Sequence, residues 1–349
     1  MKKKVLLVYS EKIAFVNEDI NTLLKFSNLT EHPFKLAKNP FLLFLELVKQ
    51  FFYLLINISR FDTVYVWFAD YHAFLPILFS NIFKKNSIII LGGYDTMSLP
   101  QIGYGVFLKN NLRRKMITYA IENSNYLLGV DETMFEGVNN YISSSAIDVG
   151  VKTFAKSIKG ECLVVPTGYD SNRWQKSASI NKENIILTIG SVNELKALKR
   201  KGFDFFSEVA ASMPDYQFVI IGPSEEYKSL LEKSSPSNLT IFSFMKQEEL
   251  KNYLDRAKVF CQFSLAEGLP NTLCEAMLCE CIPVGSAVNG IPKAIENSEL
   301  LISKPDLALA KKAIIYALQL NDSEGVKFRN SIIEKFPKSK REAAIESII

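Results

Sequence analysis

Short apolar runs alternate with longer stretches of helical spacing along the whole chain. In the first half, residues 5–9, 63–67, 87–91, 126–130 and 162–165 read as strands. Between them, residues 41–57, 72–83, 107–123 and a shorter piece near 132–140 read as helices. The second half repeats the rhythm. Its strands fall at 185–189, 217–221, 239–242, 259–263, 282–284 and 300–302, and its helices at 203–212, 248–257, 271–279 and 307–319. The strand candidates are apolar without alternation, the pattern of parallel strands covered by helices on both faces. Two such series in succession predict two doubly wound α/β domains. The turn-rich stretch PTGYDSNRWQKSASI (166–180) sets the boundary. The expected division is 1–170, 171–330 and a charged helical end, 331–349. Ligands of open α/β sheets bind at the carboxyl ends of the strands, so the chemistry is expected in the loops there.

Length and composition support this picture and narrow it. A chain of 349 residues is right for two domains. At 48% apolar and 22% charged it is not a disordered chain. Lys plus Arg is 41 and Asp plus Glu is 37, spread evenly over both halves, so no nucleic-acid partner is expected. The cysteines (Cys162, Cys261, Cys274, Cys279, Cys281) sit in apolar runs without a zinc spacing. They read as buried reduced thiols in a cytoplasmic protein. The apolar run after the basic start MKKK is too short for a signal-peptide core. The stretch nearest to a membrane span, 40–58, is interrupted by Glu46, Lys49 and Gln50.

The densest candidate chemistry lies in Ala266-Glu267-Gly268-Leu269-Pro270-Asn271, between a strand and a helix that carries Glu275. A helix start offers free backbone N–H groups and partial positive charge to an anion or a hydroxyl. Gly268 allows close approach of backbone to ligand. Each carboxylate can accept two hydrogen bonds from neighbouring hydroxyls of a sugar ring. Taken alone, Glu267 would be a solvated loop residue and Glu275 half of an intrahelical pair.

The spacing Glu267-Gly268-Leu269-Pro270 followed by Glu275-Ala276-Met277 resembles the signature of glycosyltransferase family 4. Three further segments are similar to the family's motifs, in order: 165–170 (VPTGYD), Ile189-Gly190 with Lys201-Gly202, and 281–285 (CIPVG) with Gly290-Ile291-Pro292. The resemblance is strong over 162–303. It implies a retaining, nucleotide-sugar-dependent enzyme of the GT-B fold, with two Rossmann-like domains facing a cleft. It also implies residue roles. Glu267 would hold the donor sugar's hydroxyls, with Gly268, Leu269 and Pro270 beside the diphosphate or sugar. Glu275 would bind the ribose, Gly190 and Lys201 the diphosphate, and Phe244 and Met245 the base. Phe244 and Met245 read equally well as a strand-end packing pair.

Lys199, Arg200 and Lys201 follow a strand, end in Gly202 and precede a helix, where a diphosphate would rest. Ser191 stands where the family usually has Arg, so Lys199 or Arg200 would supply the second cation. No D-x-D metal motif occurs. The cations would stabilise the leaving diphosphate, and neither a metal nor a cofactor is expected.

The first half departs further from the family, lacking a glycine-rich loop after its first strand. Its strand-end candidates are His72 and Asp95. Asp95, in Gly92-Gly93-Tyr94-Asp95, would orient an acceptor hydroxyl or the donor sugar; equally, it would brace a turn. His72 would touch the acceptor or pack at a helix start. Residues 34–83 hold 14 of the 41 aromatic residues. The segment 41–57, apolar on nearly every side, reads first as a buried helix. The second reading makes it a peripheral membrane contact on the inner face of the cell membrane, close to a lipid-linked acceptor. The expected partners are a nucleotide-sugar donor and a glycan or lipid-linked acceptor. A non-catalytic partner subunit of the same fold is the alternative function.

Overall fold

The computed structural model describes residues 2–349. Contacts divide the chain into two units. One comprises the chain up to Gly137, Asp148–Thr167 and Ser339–Ile349; the other comprises Val138–Ile147 and Gly168–Lys338.

The first unit is built on β1 (Lys3–Tyr9), β2 (Ser27–Pro33), β3 (Thr63–Trp67), β4 (Asn86–Leu91) and β5 (Tyr126–Gly129). A short two-stranded ribbon, β6 (Gly137–Asn139) with β7 (Ile147–Val149), precedes its last strand, β8 (Glu161–Val164). The sheet runs β2-β1-β3-β4-β5-β8, all parallel. Its helices are α1 (Ala14–Phe26), α2 (Pro40–Asn57), α3 (Tyr71–Ile82) and α4 (Leu112–Asn123). The hydrophobic pattern did not mark α1 and β2, because SNLTEHP is a polar edge strand. No helix forms over 132–140: Asp131 caps a single turn, Glu132–Met134, and the chain then enters β6. The helix expected from 107 begins at Leu112, where the Asn111 side chain caps it.

In the second unit β9 (Glu183–Val192), β10 (Gln217–Pro223), β11 (Leu239–Phe242), β12 (Ala257–Gln262), β13 (Ile282–Ser286) and β14 (Leu301–Ile302) form a parallel sheet. Its order is β11-β10-β9-β12-β13-β14. The helices are α5 (Leu195–Lys201), α6 (Phe203–Ala211), α7 (Glu225–Glu232), α8 (Gln247–Arg256), α9 (Asn271–Leu278), α10 (Ile291–Ile295), α11 (Leu307–Gln319) and α12 (Asp322–Lys335). Residues 138–147 group here and not with the rest of 1–170; the Asn139 amide donates to the Leu265 carbonyl at 2.9 Å.

The last helix, α13 (Lys338–Ile348), packs in the first unit. Ile345 joins a core containing Val5, Leu7, Trp67 and Ile90. Arg341 and Asp19, both buried, form a two-point ion pair at 2.7 Å on each arm. Tyr65 and Trp67 also donate to Asp19, and Arg341 donates to the Val165 carbonyl. Every charge in that buried cluster is therefore met.

Candidate active site

In the second sheet the chain turns outward in opposite directions from the neighbouring strands β9 and β12, which makes their carboxyl ends the switch point where such sheets take ligands. Two loops meet there. One leaves β9 through Gly190 and Ser191, forms α5 and stops at Gly202. The other leaves β12 and carries Glu267 to the start of α9.

Gly202 sets the first loop. It takes φ +70° and caps α5, and a side chain there would meet the Phe263 carbonyl at 2.2 Å. That turn brings Arg200 and Lys201 against the second loop. The Leu265 amide donates to the Arg200 carbonyl at 2.7 Å, and Arg200 Nη1 donates to the Ala266 carbonyl at 3.1 Å. Gly190 lies under the Lys201 stem, where a Cβ would come within 3.1 Å of Lys201 Cδ.

Glu267 is the convergence point. Lys201 Nζ donates to its Oε1 at 2.8 Å, Arg200 Nη1 at 3.0 Å and Ser264 Oγ at 3.0 Å. Among the described residues these side-chain bonds all end on Oε1, leaving Oε2 open. Burial alone would raise this carboxyl. The charges of Lys201 and Arg200, with the bonds from Lys201 and Ser264, more than reverse it and hold it at about 2. The backbone beneath is tied down as well. The Glu267 amide donates to Asn289 Oδ1 at 3.2 Å, and the Gly290 amide to the Gly268 carbonyl at 3.0 Å.

Glu275 lies on α9, half-buried, with a different environment. Loss of water pushes its carboxyl up to about 7, against the pull of Arg173. Pro270 caps α9 in an extended conformation and Leu269 is buried beside it. Phe244, just past β11, is 80% exposed, so it is not a packing residue; Met245 is partly buried. Lys199 is exposed on α5, and Arg200, not Lys199, joins Lys201 at Glu267. Among the described residues no group of three or more His, Cys, Asp or Glu could hold a metal ion.

Residues 170–338 match the family of glycosyl transferases group 1. An α-1,4-N-acetyl-D-galactosaminyltransferase of Campylobacter jejuni, named for an acceptor on PP-undecaprenol, is 26% identical over 293 residues. That match covers 78% of this chain and 76% of the relative. One component of the human phosphatidylinositol N-acetylglucosaminyltransferase is 23% identical over 204 residues, covering 56% of this chain and 39% of its own. Among solved structures, sucrose-phosphate synthase from Thermosynechococcus elongatus superposes with a TM-score of 0.72 at 14% identity, covering 99% of this chain and 98% of its own. Anabaena HepE in complex with UDP and glucose gives 0.69 at 11% identity, covering 100% and 99%. The chain has the GT-B fold, and its second unit matches the group 1 glycosyl transferases.

The first unit corrects two expected catalytic residues. His72 is fully buried on α3, where its Nε2 meets the Trp67 carbonyl at 2.8 Å and burial lowers its pKa. It is a packing histidine. Asp95 is 1% exposed and accepts from the backbone amides of Ala69, Gly92 and Gly93, each at 3.0 Å. It ties the loop after β3 to the loop after β4 and offers no face to a ligand. Burial raises its carboxyl to about 6 in spite of those amides. Sequence reasoning missed Ser264 and Asn289, both of which hold Glu267. The only signal for Asn289 was its place before Gly290, at φ +46°, in a turn.

Proposed function

We propose that this chain is a retaining, metal-independent glycosyltransferase. It takes a sugar from a nucleoside diphosphate sugar and passes it to a glycan or lipid-linked acceptor during synthesis of a bacterial surface polysaccharide. One observation carries the reading: two cations and an open carboxylate oxygen share the switch point of the second sheet. Lys201 and Arg200 suit a diphosphate, and the open Oε2 of Glu267 suits a sugar hydroxyl. Glu275 would accept from the ribose hydroxyls and Phe244 would stack on the base. The names of two relatives, on PP-undecaprenol and on phosphatidylinositol, support a lipid-linked acceptor.

In the reaction, the bond from the anomeric carbon to the diphosphate oxygen breaks as the acceptor oxygen bonds to the same face. The acceptor proton passes to the departing diphosphate. Lys201 and Arg200 stabilise the charge that builds there. The five unpaired cysteines suit a reducing, cytoplasmic setting.

The test begins with a thermal-shift panel of UDP, GDP, ADP and CMP and their sugar conjugates. Stabilisation by one base class, reduced by Lys201→Ala, is expected. Transfer with the matching donor should then give a product whose anomeric configuration by NMR equals that of the donor. No response to any nucleotide would defeat the proposal, and an inverted product would defeat its retaining part.

A further inference from the structure

The helix α2 is inverted relative to an ordinary surface helix. Phe41, Leu42, Phe44, Phe52, Leu55 and Ile56 are each 50–67% exposed, whereas the only residues it buries are Gln50 and Leu54. Over Pro40–Arg60 the mean hydropathy reaches 1.8. The fold holds this helix in place. Asn39 caps its start, and the Gln50 amide donates to the His72 carbonyl at 3.1 Å. The apolar face continues onto the end of α3. Phe51 meets Phe79, Phe79 stacks on Phe83, and Ile82 beside them is 62% exposed.

The charges around this face are one-sided. Lys35 and Lys38 precede α2, Arg60 follows it, and Lys84 and Lys85 follow Phe83; all are exposed except Lys85, which is partly buried. On α2 itself Glu46 pairs with Lys49, and residues 34–60 hold no other acidic residue. Two copies meeting through this face would bring like charges together at both ends of the helix. An anionic bilayer would instead match the cations and take up the aromatic side chains.

We propose that α2 and the end of α3 form a face that docks flat on an anionic lipid bilayer. At 18 residues the helix is about 27 Å long, and its middle and end run beside α3, where Gln50 meets the start of α3 and Lys85 donates to Ser59. Its first turns, Phe41–Phe44 among them, therefore project past the start of α3. That is the edge where the loops after β3 and β4 emerge, so the docked face leaves those loops at the lipid surface.

The test is flotation of the purified full chain with vesicles of phosphatidylcholine alone and of phosphatidylcholine with phosphatidylglycerol, without any sugar donor. This separates its failure from failure of the donor-site reading. The wild type is expected to float with the anionic vesicles. Phe44→Glu with Phe52→Glu should lower bound protein about tenfold or more, with an unchanged melting curve, because both side chains are exposed. Lys35→Glu with Lys38→Glu and Lys84→Glu should remove the preference for anionic lipid. Wild-type protein that stays unbound overturns the proposal, as does a phenylalanine variant that floats equally well. A wild-type dimer in sedimentation that the phenylalanine variant abolishes, without vesicle binding by either form, assigns the face to a second copy instead.

Discussion

The ion cluster at Glu267 can be tested by titration, because its charge state should be a measurable part of the stability of the second unit. The carboxyl is held at about 2 where 4.5 is ordinary, which at about 1.4 kcal/mol per pH unit amounts to about 3 kcal/mol. Removing one member of a buried ion pair costs about 3–5 kcal/mol by an independent route, since the remaining cations keep their desolvation without a partner. Glu267→Gln should therefore lower stability by about 3 kcal/mol at pH 7. A depressed carboxyl contributes stability above its unfolded pKa and loses it as pH falls toward its folded value. The difference between wild type and variant should hold down to about pH 4.5 and fall to about half by pH 3. Urea denaturation followed by tryptophan fluorescence measures this. Of the two tryptophans, Trp67 lies in the first unit and Trp174, buried, in the second, so a shared Trp67→Phe background isolates the second unit. A difference below about 1 kcal/mol at pH 7, or one that does not change with pH, would refute the view that Lys201 and Arg200 hold Glu267 as an ion.

Further measurements separate binding, scaffold and chemistry. Because Glu267 occupies the two cations, Glu267→Gln should bind nucleoside diphosphate at least as tightly as wild type by calorimetry yet lose about a hundredfold or more in transfer, while Lys201→Ala should weaken that binding about tenfold or more. Asp95→Ala strands three amides, two of them buried, and should cost about 2–4 kcal/mol in urea denaturation of the first unit; a neutral result would mean the two loops do not depend on it. Arg341→Ala leaves Asp19 buried without its partner and should cost about 3–5 kcal/mol, seen as early proteolysis of the carboxyl-terminal helix, which Arg341→Lys should only partly prevent because Lys cannot make the two-point bond.

What the sequence made legible was whatever depends on local pattern. Every expected strand is present, most of them as apolar core, and Glu267, Glu275, Arg200 and Lys201 could be singled out as candidates because motif and loop position coincide. What it hid depends on which element lies next to which. The choice of Arg200 over Lys199 rests on β9 lying beside β12, with Gly202 turning against Phe263. Ser264 joins from within Glu267's own loop, and Asn289 from the loop after β13, on the other side of β12. Asp95 and His72 stand near strand ends, where chemistry is sought, but Asp95 binds backbone amides of its own loop and the one beside it, and His72 binds the Trp67 carbonyl at the end of β3. The segment 41–57 shows the same limit from the other side. A helix apolar all round is read as covered, and hydropathy does not say by what. The expected buried helix is corrected because its own domain fully buries only Gln50 and Leu54. The apolar pattern was sound and the cover was supplied wrongly. Phe41, Leu42, Phe44, Phe52, Leu55 and Ile56 are left at least half exposed, and the cations bordering them narrow what a counterpart to that face would be.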